Sequence, residues 1–214
     1  MRGRIRIGVA WGLVGLLVLA GFGCGKRPRK AQKGAGNEGL TGGALVFSDD
    51  FERGELGDSW LQRTGRWRIV DGRVRVQGDR NEGLWLQVAL PDRVRIEFDA
   101  VARTPEGDLK CEVFASEPRH QTGYIAILGG WKNSLSVLAR LDEHGEDRLE
   151  SPRKASPGQV HHFVLLRTGS TLAWYVDGEA VLSFADEAPL NGRYFGFNNW
   201  MAEVEFDNLA IYAL

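Results

Sequence analysis

The chain has 214 residues, is 43% hydrophobic and 10% aromatic, and carries 27 Lys and Arg against 28 Asp and Glu. That composition excludes a disordered chain, and the length suits one domain with one core. The near-zero charge hides a gradient: residues 41–214 hold 19 basic and 27 acidic side chains, a net of −8, which argues against a nucleic-acid partner because phosphate contacts need a basic face.

Arg2, Arg4 and Arg6 precede Ile7–Gly23, an unbroken apolar run of 17 residues. A basic start before an apolar stretch predicts a secretory signal over residues 1–23. The run is at the short limit for a bilayer span, and its five glycines weaken it as a permanent helix. Leu19-Ala20-Gly21-Phe22-Gly23-Cys24 resembles the lipobox of bacterial lipoproteins, although Gly21 and Phe22 stand where a leucine and a small residue are usual. The resemblance implies Cys24 as a lipid attachment point and a membrane-anchored protein of the cell envelope. A signal anchor and ordinary cleaved secretion are the alternatives. Gly25 is not the aspartate that retains some lipoproteins at the inner membrane, which favours the outer membrane. Residues 24–43, rich in Lys, Arg, Gly and Asn, read as a flexible basic tether.

From residue 44 the hydrophobic period is two, and short alternating segments recur between Gly, Asp, Asn and Pro. Residues 44–214 are therefore expected to form an all-β, two-sheet antiparallel jelly-roll sandwich. Arg66–Val76 predicts a hairpin about Asp71-Gly72, with Ile69 opposite Val74 and Arg68 opposite Arg75. In Arg93–Ala100 the apolar residues alternate with Arg93, Arg95, Glu97 and Asp99. Cys111 lies between Lys110 and Glu112, so the cysteine is expected in the core and the charges outside. A second hairpin about Asp177-Gly178 predicts Trp174 opposite Val181. Both of its faces are apolar, so it is either covered on both sides or offers one side to a ligand.

Phe47-Ser48-Asp49-Asp50-Phe51-Glu52-Arg53, Trp60, Gly65–Gly72, Tyr175–Gly178, Gly196-Phe197 and Phe206-Asp207-Asn208 together resemble concanavalin A-like lectin/glucanase domains. The likeness is greatest to bacterial lipoproteins grouped as 3-keto-disaccharide hydrolase-like. It implies the jelly roll and a carbohydrate or envelope glycan as partner. Activity does not follow, since one fold carries many functions. Family 16 glycosidases on this fold use an E-x-D-x-E or E-x-D-x-x-E strand. Glu97-Phe98-Asp99 starts that pattern, but Val101 and Ala102 replace its last glutamate. Glu203 and Glu205 share a strand face without the motif. If any of these four carboxylates serve a hydrolase or lyase, they must line the same face as the ligand.

His161 and His162 are adjacent on a strand and point to opposite faces, so they give no zinc framework. Calcium prefers oxygen ligands, and Asp49 and Asp50 near the first strand could meet Asp207 and Asn208 near the last. Asp50 and Asp207 are thus candidates for a structural calcium ion; an Asp turn and a buried Asn are the plainer account. For a ligand, Trp131 and Asn133, Arg140 and Asp142, and Asn198, Asn199 and Trp200 combine aromatic faces with amides and charges, the chemistry that holds a sugar. The alternative is that these tryptophans plug an open end of the core. Three readings stay open: a carbohydrate-binding lipoprotein, a hydrolase or lyase, and a structural lipoprotein.

Overall fold

The computed structural model describes residues 40–214; the signal segment, Cys24 and the tether up to residue 39 lie outside the described residues. The first strands are β1 (Ala44–Asp49), β2 (Trp60–Gln62), β3 (Arg68–Val70), β4 (Arg73–Gln77) and β5 (Leu84–Leu86). Then follow β6 (Val94–Ala102), β7 (Leu109–Ala115), β8 (Tyr124–Gly129), β9 (Leu135–Arg140) and β10 (Leu149–Ser151). The last are β11 (Val160–Thr168), β12 (Thr171–Val176), β13 (Glu179–Ala185), β14 (Tyr194–Asn198) and β15 (Glu203–Ala213). They form two antiparallel sheets, as the alternation predicts. The eight-stranded sheet runs β13-β12-β11-β6-β15-β4-β3 with β1 also on β15, and the seven-stranded sheet runs β10-β9-β8-β7-β14-β5-β2.

One apolar core lies between them. Phe98 stacks on Phe163 at 4.8 Å between centroids, and Phe197 stacks on Phe206 at 4.3 Å, the second pair joining the two sheets. Cys111 is buried in this core as a free thiol, its pKa pushed up by burial and by Glu112.

The first hairpin forms as read. Ile69 opposes Val74 and Arg68 opposes Arg75, and both turn residues take positive φ (Asp71 52°, Gly72 72°), the type I′ geometry that suits the strand twist. The second differs. Trp174 opposes Leu182, not Val181, because a bulge between Trp174 and Tyr175 leaves Val181 as the extra residue. Leu182 consequently joins Trp174 in the core. The hairpin is covered on both sides: Val164, Leu166, Ala173 and Tyr175 on the outer face are packed by Leu40 and Leu214. Gly42 O accepts a 2.6 Å bond from Arg95 Nη1, so residues 40–43 lie against the outside of the eight-stranded sheet.

Candidate functional site

On β7, Leu109, Cys111 and Val113 enter the core, so Lys110 and Glu112 must point out of the sandwich. Strand alternation predicts solvent there. Instead Lys110 is 2% exposed and Glu112 is wholly buried. Two connections fold over the outer face of the seven-stranded sheet and close it off. From the β7–β8 connection, the backbone N–H groups of Thr122 and Gly123 each donate to Glu112 Oε1 at 2.8 Å, and Gln121 N donates to Oε2 at 3.2 Å. His120 Nδ1 lies 3.0 Å from the same Oε2. From the β9–β10 connection, Glu143 reaches across β8 and sets Oε2 2.9 Å from Lys110 Nζ. Beneath that crossing Ile125, Ile127, Val137 and Ala139 form a second, fully buried apolar cluster.

The charges form one network. Lys110 Nζ also donates to Asn81 Oδ1 at 2.9 Å and stands 3.8 Å from Asp108 Oδ1. His120 Nε2 lies 3.6 Å from Glu143 Oε2, within ion-pair range but too long for a hydrogen bond. Burial opposes charge on His120, but Glu112 and Glu143 outweigh it and raise its pKa above the ordinary 6.5. Burial likewise opposes charge on Glu143, yet His120 and Lys110 bring it down to about 2. Asp108 goes the other way: burial raises it against the pull of Lys110 and the Trp200 N–H.

A pH dependence follows. His120 has a folded pKa above its unfolded one, so its stabilisation is full below about 6.5 and is lost as pH rises through the raised value. Glu143 is depressed, so its stabilisation is present above 4.5 and fades as pH falls toward about 2. Asp108, with a raised pKa, acts oppositely to Glu143 and favours the fold at the acid side of that range. Hydrogen exchange in residues 141–148 should accordingly quicken above neutral pH by more than the chemical rate alone explains. His120→Gln should flatten that alkaline limb.

Over this floor opens a cavity of about 550 Å³, lined by Asn81, Glu106, Asp108, Lys110, Ile127, Trp131, Lys132, Glu143, His144, Trp200 and Met201 among others. Trp131 and Trp200 are 36% and 52% exposed, unusual for the largest apolar side chain and a mark of an interaction surface. Trp131 comes from a left-handed turn after β8. Trp131, Lys132 and Asn133 have φ of 49°, 58° and 60°, a run that L-residues adopt at a cost of about 1–2 kcal/mol each. Asn133 holds the turn: its Nδ2 donates to Ala155 O at 2.8 Å and its Oδ1 accepts from Ala155 N at 2.9 Å. Gly129 is required below it, since a Cβ there would stand 2.4 Å from Asn133 Oδ1 and its φ is 70°. The Trp131 indole packs against the Arg148 guanidinium (4.7 Å) and edge-on against His144 (5.5 Å). Such local strain is often kept where a side chain must be aimed.

The sequence-derived residues divide sharply. Trp131 and Trp200 share the cavity. Asn133 is used in holding the turn. Asn198 and Asn199 are wholly buried below: Asn198 Nδ2 is 3.2 Å from His120 Nδ1, and Asn199 Nδ2 is 3.5 Å from Asp108 Oδ2. Trp200 N donates to that same Oδ2 at 2.6 Å, which fixes the indole's base. Arg140 lies elsewhere, paired with Asp186 at 2.8 Å, and Asp142 Oδ1 accepts from His144 N at 2.9 Å in its own turn.

Glu97, Asp99, Glu203 and Glu205 lie on β6 and β15 of the other sheet, so they do not line the face that carries the tryptophans. Glu97 pairs with Arg95 at 2.7 Å, Asp99 bonds His162 (2.8 Å) and Asn208 (2.9 Å), and Glu205 is held by Arg75 and by Arg103 at 2.5 Å. The condition for an acid or base role in the hydrolase or lyase reading, lining the same face as the ligand, is therefore not met by these four. β1 and β15 do pair, yet Asp49 is occupied by Arg53 and by Trp60 Nε1 at 2.7 Å. Asp50 Oδ1 accepts from Glu52 N at 3.2 Å, and Asp207 Oδ1 accepts from Asn208 N at 2.8 Å. Among the described residues, no group of three or more His, Cys, Asp or Glu is placed to hold a metal ion.

Comparison with known proteins bears on the fold. A family model described as Farnesoic acid 0-methyl transferase matches residues 113–209, less than half of the chain. No curated protein sequence matches. Among solved structures, the carbohydrate-binding module CBM66 from Bacillus subtilis is 17% identical, with a TM-score of 0.52 over 72% of this chain and 91% of its own. SCLam, a non-specific endo-beta-1,3(4)-glucanase from family GH16, is 15% identical, with a TM-score of 0.59 over 78% and 90%. A putative glycosyl hydrolase from Parabacteroides distasonis is 15% identical, with a TM-score of 0.54 over 73% and 88%. The fold is a concanavalin A-like jelly roll.

Proposed function

We propose that the chain is a lipid-anchored envelope protein that holds a saccharide in the cavity between Trp131 and Trp200. The observation that carries this reading is the pairing of two exposed indoles with a polar floor of Asn81, Asp108 and Lys110 in one pocket. A sugar ring has an apolar C–H face for the indoles and a rim of hydroxyls for the polar groups, and binding pockets commonly combine apolar walls with a few placed polar atoms. The occurrence of the same fold in a carbohydrate-binding module and in glucanases supports it. A glycan-array screen of the full-length chain, with and without calcium, tests it. Retention of a glycan is the expected result, and silence across the array would leave a structural lipoprotein. A rise in melting temperature with calcium that Asp50→Asn and Asp207→Asn abolish would give those residues a structural ion.

A second reading, hydrolysis of the bound saccharide, is favoured by one feature. Asp108 and Glu143 line the same cavity, and their surroundings move their pKa values apart, Asp108 up and Glu143 down. Carboxyl pairs separated in this way can divide acid and base roles. Following retained sugars for hours separates the two readings: intact sugar means binding, and breakdown abolished by Asp108→Asn means catalysis.

Residues 40–43 join the domain at the outside of the eight-stranded sheet, and the cavity opens on the outside of the seven-stranded one. A lipid at Cys24 would thus attach the domain from the side opposite the cavity, through the tether, with Gly25 favouring the outer membrane. Mass spectrometry of the chain isolated from membranes should show an acylated Cys24 as the N-terminus, and a chain that keeps residues 1–23 would replace the lipid anchor with a signal anchor.

A further inference from the structure

The outer face of the seven-stranded sheet is blocked along most of its width. On one side Ile125, Val137 and Ala139 are all at 0% exposure, and Glu143 of the β9–β10 connection reaches Lys110 on β7. On the other side Trp85 lies flat over Gly196, where an added Cβ would come within 2.6 Å of the indole, and it too is wholly buried. Between them Glu112 and Asn198 are sealed at 0%. What stays open is one end of the face, where the exposed Trp131, Trp200 and Met201 rim the cavity above Asp108 and the buried Lys110. A polymer lying across this sheet would need a trench continuous over several strands, and the covered face offers none. A chain end entering from above meets no such obstacle, and about 550 Å³ lies within the usual range of about 300–1,000 Å³ for small-ligand pockets.

The charges lining the cavity narrow the ligand further. Glu106, Asp108 and Glu143 face Lys110 and Lys132. The Lys110 ammonium is already held by Glu143 and by Asn81, with Asp108 beside it, so it has little charge to offer an incoming anion. Asp108 Oδ2 accepts the Trp200 N–H, whereas Oδ1 stands 3.8 Å from Lys110 Nζ, beyond hydrogen-bond reach. That leaves Oδ1 to accept a hydroxyl proton, close to an ammonium and an amide that can meet the neighbouring hydroxyl.

Resting on the saccharide reading of this pocket, we infer that the site takes the uncharged terminal unit of a saccharide end-on, with adjacent hydroxyls at Asp108 and at the Lys110–Asn81 pair. Internal segments of a polymer and acid-terminated glycans are excluded, the first by the covered sheet face and the second by the carboxylates.

The test uses the full-length chain on three sets of immobilised glycans. One set presents neutral oligosaccharides with free non-reducing ends. A second presents the same sugars with the terminal unit oxidised to a uronate. A third consists of cyclic glucans, which have no chain ends. Retention on members of the first set is expected, with none on the cyclic glucans. Oxidation of the terminus should weaken retention by roughly tenfold or more, as like-charge contact at a desolvated surface requires. Equal retention on cyclic glucans, or on uronate-capped chains, would overturn this inference while leaving the saccharide reading intact. Absence of retention on every set would overturn both.

Discussion

Glu112→Ala is expected to destabilise the fold by about 3–5 kcal/mol, the range for breaking a buried, bonded charge. The side chain is wholly buried and its two oxygens accept the N–H groups of Gln121, Thr122 and Gly123. Alanine would leave these donors without an acceptor and His120 without its nearest counter-charge. For a domain of this size each kcal/mol moves the melting temperature by about 2–4 °C, so a fall of roughly 10 °C is expected. Urea unfolding should show a lower midpoint with an unchanged slope. Glu97→Ala is the control. Glu97 is a carboxylate on an outer strand face as well, but it keeps part of its surface in water, and the Arg95 it would leave still donates to Gly42 O and packs on the Tyr212 ring, so the change should cost less, about 1–2 kcal/mol. Equal losses in the two variants would show that the covered sheet face contributes no more than an open one.

The contrast between those two glutamates marks where the sequence stops being legible. Both alternate with apolar residues in a strand, and both read as solvent-facing by the same period of two. The period says which side of the sheet a residue takes. It cannot say that a distant connection will cover that side. Glu112 and Lys110 are buried because His120–Gly123 and Glu143 fold over them, and the Lys110–Glu143 pair joins residues 33 positions apart. No local signal announces such a pairing. Glu97 and Asp99 attracted a catalytic reading because they sit in a fragment of a familiar motif, while the carboxylates beside the cavity, Asp108 and Glu143, sit in no motif.

Local turn chemistry, by contrast, was readable wherever it alone decided the geometry. Asp71-Gly72 set its hairpin's register without help. Asp177-Gly178 set the turn as well, with φ of 55° and 78°, but the bulge three residues earlier shifted the partner of Trp174 from Val181 to Leu182. A bulge answers to packing on both faces of the sheet, and that hairpin has the core on one side and Leu40 and Leu214 on the other. The aromatic part of the site was legible for a chemical reason. Tryptophan beside asparagine, in segments flanked by turn residues, fits a surface pocket as well as it fits a core. The exposure of Trp131 and Trp200 decides between them.

The second large effect concerns those two indoles. Trp131→Ala and Trp200→Ala should each weaken saccharide retention by about 30-fold or more, the loss of roughly 2 kcal/mol expected for a central aromatic anchor. Their effects on stability should differ from that and from each other. Trp200 is half exposed, so its removal should cost little in melting temperature. Trp131 carries the Arg148 stack and the His144 edge contact, and its loss should cost about 1 kcal/mol more. Trp131→Gly separates aromatic contact from backbone strain, because glycine accepts φ near 49° without penalty. If the indole itself grips the ligand, the glycine variant should bind as poorly as the alanine variant while melting at or above it. Should Trp131→Ala instead lower the melting temperature and leave retention unchanged, the indole is a plug for the cavity rim, and the saccharide must be held by Trp200 and the polar floor alone.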